Sequence, residues 1–178
     1  MHKTVIFIMH SFKNIISIAF LPAALLACSP NFNWREIHEN NYIIAFPSKP
    51  SNHQKIIIID NKKYILNLQA SSSGDSNVLF GVGYIQHDNS KVSQLEKDLQ
   101  KQWCKSGELI RYYNPEILVC KWSNGGNHKI LQSKWIYNDK YIYQLSVIYD
   151  KSYFDKLKDK QNLQDNIDLF FSSFKLIS

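Results

Sequence analysis

Beyond about residue 33 the chain runs in short apolar and polar alternations separated by turn residues, with two longer stretches of helical period. Tyr42–Phe46 reads as a strand, ended by Pro47 and Pro50, neither of which can donate to a ladder. Residues 56–59 and 64–68 flank Asp60-Asn61-Lys62-Lys63 and predict a hairpin. In the strand predicted over Val78–Gln86, Phe80, Val82 and Tyr84 share one face and Gly81 and Gly83 the other. Two glycines on one face predict a place where a helix lies close to the sheet. Val92, Leu95, Leu99 and Trp103 then recur at spacings of three and four, with Ser93 and Glu96 placed as a capping box and Gly107 as a stop, the pattern of an amphipathic helix. Four further strands are predicted over 109–113, 117–122, 129–137 and 141–149, with turns at Asn124-Gly125-Gly126-Asn127 and Asn138-Asp139-Lys140. A last helix is expected from near Ser152 and Asp155, carrying Leu157, Leu163, Ile167, Phe170 and Phe171 on its buried stripe and running into Phe174. This order predicts an α+β fold, a largely antiparallel sheet with two main helices packed on it. Apolar residues on both faces of 141–149 predict that both sheet faces are at least partly covered.

The N-terminal pattern is different. An apolar run from Ile15 to Ala27, behind Lys3 and Lys13, ends in Leu25-Leu26-Ala27-Cys28. It is shorter than the roughly 20 apolar residues that cross a bilayer as a helix, and it fits a cleaved signal better. The stretch resembles a bacterial lipoprotein signal, although Leu26 is bulkier than the usual middle residue. The resemblance implies loss of residues 1–27, a thioether-linked diacylglycerol on Cys28 and a further acyl chain on its amine. Several chains at about 0.8 kcal/mol per buried methylene make an effectively permanent membrane anchor. Ser29, in place of an Asp after the cysteine, implies the outer membrane, facing the periplasm, under enterobacteria-like sorting. The expected organisation is a signal peptide at 1–27, the lipidated cysteine and a short tether at 28–33, and a single periplasmic domain at 34–178. The segment from Ser29 to Asn33 spans roughly 17 Å when extended, which would hold the domain close to the membrane.

The 178 residues carry 21 basic against 15 acidic side chains, a formal charge of +6, and removal of Lys3 and Lys13 lowers it by two. Only Arg35 and Arg111 are arginines, and no basic stripe is present, so a nucleic-acid partner is not expected. Lys151, Lys156, Lys158 and Lys160 alternate with Asp150, Asp155 and Asp159, a solvated face that could also touch anionic headgroups.

Beyond Cys28 there remain Cys104 and Cys120. In a disulfide-permissive compartment they could pair, closing a loop of about 15 residues worth about 3 kcal/mol; the alternative is two buried thiols. Gly74-Asp75-Ser76 resembles the nucleophile block of a family of serine esterases, but no His follows His128 to take the serine proton. His87 and Asp88 are adjacent and point to opposite faces in extended chain. His38, His53 and His128 show no metal-ligand spacing, and Gly81-Val82-Gly83 lacks the third glycine of a dinucleotide loop. The residues thus nominate no catalytic, metal or cofactor site. If Tyr137, Tyr141, Tyr143 and Tyr149 formed one exposed patch, it would mark a partner surface.

The segments FNWREI, YIIAFPSKP and FFSSFKLI resemble uncharacterised proteobacterial lipoproteins whose domains look like the PsbP and DcrB type of sandwich. The resemblance rests on Trp34, Phe46-Pro47 and Ser173-Phe174. It implies a non-catalytic binding or assembly role beside an envelope protein partner, and it brings no site residues. The alternative reading is a small-ligand or lipid carrier with a pocket between sheet and helix, near Gly81 and Gly83.

Overall fold

The computed structural model describes residues 32–87, 92–104, 107–114, 116–124 and 127–177. Its strands are β1 (Arg35–His38), β2 (Tyr42–Phe46), β3 (Ser51–Ile59), β4 (Lys62–Ser72), β5 (Val78–Gln86), β6 (Gly107–Asn114), β7 (Ile117–Asn124), β8 (Asn127–Tyr137), β9 (Tyr141–Asp150) and β10 (Lys175–Leu176). Its helices are α1 (Val92–Trp103), α2 (Lys151–Lys156) and α3 (Lys160–Ser173). The fold is α+β. Seven strands form one sheet in the order β3-β4-β5-β9-β8-β7-β6, every neighbouring pair antiparallel. A second sheet of three strands, β1-β2-β10, was not expected from the sequence.

Period-two alternation distributes each long strand over two faces. On one face Phe80, Val82, Tyr143, Leu145 and Val147 pack against Tyr42, Ile44 and Phe46 of β2 and Leu163, Ile167 and Phe170 of α3. T-shaped contacts of Phe80 with Trp34, at 5.6 Å, and with Phe170, at 5.2 Å, lock this layer. On the opposite face α1 supplies Leu95 and Leu99 to a smaller cluster with Ile59, Ile85 and Ile142. The molecule therefore layers as α1, the seven-stranded sheet, then α3 with the small sheet.

Several local expectations are corrected. The single last helix is two: Leu157 is extended and Asp159 caps α3 by accepting a hydrogen bond from the Asn162 N–H at 2.9 Å. The β3–β4 turn needs only Asp60 and Asn61, both at positive φ of 48° and 61°, so Lys62 and Lys63 already belong to β4. β3 begins at Ser51, five residues before its apolar run. Phe32 and Asn33, assigned to the tether by the sequence, join the folded unit: Phe32 stacks on Trp34, and the Asn33 N–H donates to the Pro47 carbonyl at 3.0 Å. The signal segment, Cys28 and the first tether residues lie outside the described residues.

Candidate functional site

On the α1 face the ladder aligns one row across five strands: His53 opposite Leu68, Leu68 opposite Gly83, Gly83 opposite Gln144, and Gln144 opposite Trp135. The next row is built of small groups, Gly81 opposite Ser146 and Ser146 opposite Ser133. Gly83 leaves room on this face, whereas Phe80 and Val82 fill the other. The result is a groove of about 580 Å³, lined by Ile57, Leu66, Leu68, Gly83, Leu99 and Ile142, with Gln144 and Trp135 also on its wall and His53 and Lys55 at the β3 edge. That volume suits a drug-sized or lipid-sized molecule. A depression of about 780 Å³ elsewhere is larger but shallower and of mixed character, with Lys62, Lys63 and His87 beside Tyr64, Ile65 and Tyr84.

The glycines do not seat a helix. A Cβ on Gly83 would meet Leu66 Cδ1 at 3.2 Å and Leu68 Cδ1 at 3.9 Å, and one on Gly81 would meet Ser146 Oγ at 3.2 Å. Side chains of β4 and β9, rather than α1, stand over them, and the space remains as the groove. The sequence signal was sound in locating room on this face; the occupant it named was wrong.

Two of the polar groups on this wall have no partner among the described residues. Gln144 Nε2 and Trp135 Nε1 are shielded from solvent and make no hydrogen bond there, and neither does Ser133 Oγ in the next row. Gln144 is only 5% exposed. Buried donors of this kind are rare and cost about 1–3 kcal/mol each. Nothing in the sequence flagged them, since a Gln and a Trp nine residues apart become neighbours only through the β8–β9 pairing.

The residues weighed for chemistry do not converge. Asp75 closes its own turn, accepting from the Asn77 N–H at 3.2 Å, from Ser73 Oγ, and from the Tyr153 hydroxyl at 2.8 Å. Burial pushes this carboxyl up, but the three donors outweigh burial and hold it below its ordinary value. Ser76 sits at a φ of 59° in that turn. His87 Nε2 lies 3.0 Å from the Asn138 carbonyl and ties β5 to the β8–β9 turn; Asp88 lies outside the described residues. His38 pairs with Glu36 at 2.6 Å and His53 with Ser51 at 2.9 Å, both at the surface. Among the described residues no three His, Cys, Asp or Glu side chains gather as for a metal ion.

Cys104 and Cys120 are joined in a disulfide, with α-carbons 5.9 Å apart, which fastens the end of α1 to β7. The tyrosines do not form one patch: Tyr143 and Tyr149 are buried, Tyr141 is half-buried, and only Tyr137 is exposed, because the first three face α3 and Tyr137 faces the other way. Burial first, then Tyr141, pushes the Tyr143 hydroxyl up to about 12. The basic cluster is partly spent internally, Lys151 pairing with Asp155 and Lys160 lying 5.2 Å from the Phe154 ring centroid.

No family model matches the chain, and no curated protein matches it. The PsbP and DcrB resemblance is thus left without a matching family. Among solved structures the crystal structure of LpqN, involved in cell envelope biogenesis of Mycobacterium tuberculosis, is similar at a TM-score of 0.36 and 9% identity, covering 83% of this chain and 92% of that one. At that similarity no property of LpqN is carried over to this chain.

Proposed function

We propose that the chain is a lipid-anchored accessory protein of the bacterial envelope whose domain binds an apolar ligand beneath α1 without catalysis. The groove of about 580 Å³ carries this reading: an interior of ordinary proteins closes to crystal-like density, and here one face does so while the other keeps space. The anchor is Cys28, acylated at the outer membrane and facing the periplasm, as the Leu25-Leu26-Ala27-Cys28 stretch supports. Displacement of a hydrophobic fluorophore tests the ligand role. Wild type is expected to take up the dye and release it to long-chain lipids, while Gly83→Val, which fills the floor against the mobile tip of Leu66, is expected to bind at least tenfold more weakly. Equal uptake by both proteins would refute the groove. Metabolic labelling with palmitate, lost in Cys28→Ala, tests the anchor.

A second reading, docking of an envelope protein partner, is favoured by the outer face of the β3–β4 hairpin. Ile56 and Ile65 are cross-strand partners there and are 64% and 60% exposed, with Ile58 at 59% on the same face. Apolar groups gathered on a surface mark interaction sites. Crosslinking in intact cells that captures one partner with wild type and none with Ile56→Lys/Ile65→Lys would support it.

A further inference from the structure

We infer that the groove takes an acyl chain whose neutral carbonyl oxygen is held by Gln144 and Trp135, an inference that rests on the apolar-ligand reading above. The two side chains face each other across the β8–β9 ladder, which places their β-carbons about 5 Å apart. Both carry a donor nitrogen without a partner among the described residues, and an indole N–H can only donate. What completes this pair is an acceptor, and one carbonyl oxygen has two lone pairs for two donors. Both nitrogens are shielded in the free protein, so the ligand reaches them only as side chains of the wall turn: the χ3 torsion of Gln144 is soft, and the Trp135 side chain is only half-buried.

The rest of the site limits what bears that oxygen. From Trp135 the row runs over Gly83 and Leu68 to His53, four interstrand steps, or roughly 19 Å at the ladder spacing. Leu66, Leu68, Ile57 and Leu99 flank it. An apolar lining along a row of that length, with donors at one end, matches a fatty-acyl chain. The lysine of the groove, Lys55, belongs to β3, the far edge of the row, as does the imidazole of His53. A carboxylate against Gln144 would therefore be buried without a counter-charge, which is costly; the carbonyl of an ester carries no such penalty. The site thus selects acyl esters over free fatty acids, two sources of the same acyl chemistry.

The test is competition by methyl palmitate, palmitic acid and hexadecane against a bound hydrophobic fluorophore, using the full-length chain with Cys28→Ala so that no lipid of its own competes. The ester is expected to bind about tenfold tighter than hexadecane, the scale of one satisfied buried hydrogen bond, and tighter than the acid. Gln144→Met and Trp135→Phe should each bring the ratio of ester to hexadecane affinity close to one, read within the variant so that any change common to both ligands cancels. Near-UV circular dichroism checks that both variants are folded, and either variant alone suffices for the comparison. If wild type binds none of the three, the apolar-ligand reading fails. If it binds all three equally, binds the acid best, or keeps its ester preference in both variants, that reading stands and the carbonyl assignment is overturned.

Discussion

The two faces of the seven-stranded sheet are built by the same strands and end in opposite states. Toward α3, Phe80, Tyr143, Leu145 and Phe170 are fully buried in one continuous cluster that also takes in the small sheet. Toward α1 the apolar residues split into two clusters, one around Ile85 and Leu99 and one around Cys120 and Leu131. Between them lies the strip of Gly81, Gly83, Ser133, Gln144 and Ser146. Alternation alone cannot produce this difference, since it serves both faces equally. Side-chain volume does: aromatic rings close one face, while Gly83 and the amide of Gln144 line a groove on the other. One face stores stability, and the other gives some up for space.

Truncating the filled face should hurt most. Phe170→Ala is expected to cost about 3–5 kcal/mol, the range for a large buried side chain in a layer that cannot collapse around the cavity, read from urea unfolding. A loss below about 1 kcal/mol would mean that this layer is no better packed than its opposite. The open face depends on a covalent tie in place of dense packing. Cys104→Ala/Cys120→Ala should cost about 3 kcal/mol through loop entropy and raise hydrogen exchange in α1 far more than in α3. Uniform loss of protection would erase the contrast between the faces.

A third change should move stability the other way. Gln144→Leu replaces an orphaned donor with an apolar group of similar size, so it should raise stability by about 1 kcal/mol while weakening binding of acyl esters. A stability cost there would mean that Gln144 is satisfied in the free protein, and the open face would lose its most specific feature.

Much of this contrast was visible in the alternation, and the part that was not has identifiable causes. The placement of Phe80, Val82 and Tyr84 against Gly81 and Gly83 was legible because period two is strict in a paired strand. β1 was not, because its residues are exposed apart from half-buried Ile37 and so leave no alternation to read. β10 has two residues and is set by its pairing to Ile43 and Tyr42. The break before α3 hinged on Asp159 acting as a cap inside an unbroken apolar stripe. For the site, the glycines marked room, but which strands border it depends on β5 pairing with β9 across more than 50 residues, and no local pattern carries that.

The smallest expected effect concerns how the filled face is closed at its edge. Asp75 holds the turn into β5 and takes the Tyr153 hydroxyl from α2, joining that turn to the α3 side of the molecule. Its carboxyl is lowered on folding, since the donors Ser73, Asn77 and Tyr153 overcome burial. A carboxylate with a lower pKa in the folded state contributes fully above its unfolded value, about 3.9, and its contribution fades as pH falls through the folded value. The difference in urea midpoint between wild type and Asp75→Asn should therefore be constant from pH 7 to about pH 5 and shrink below about pH 4. Because the turn is partly exposed, the difference should be modest. A gap that stays constant into acid would mean that Asp75 acts through contacts that protonation does not alter. The edge of the filled face would then be closed by hydrogen-bond geometry, and the carboxylate charge would play no part.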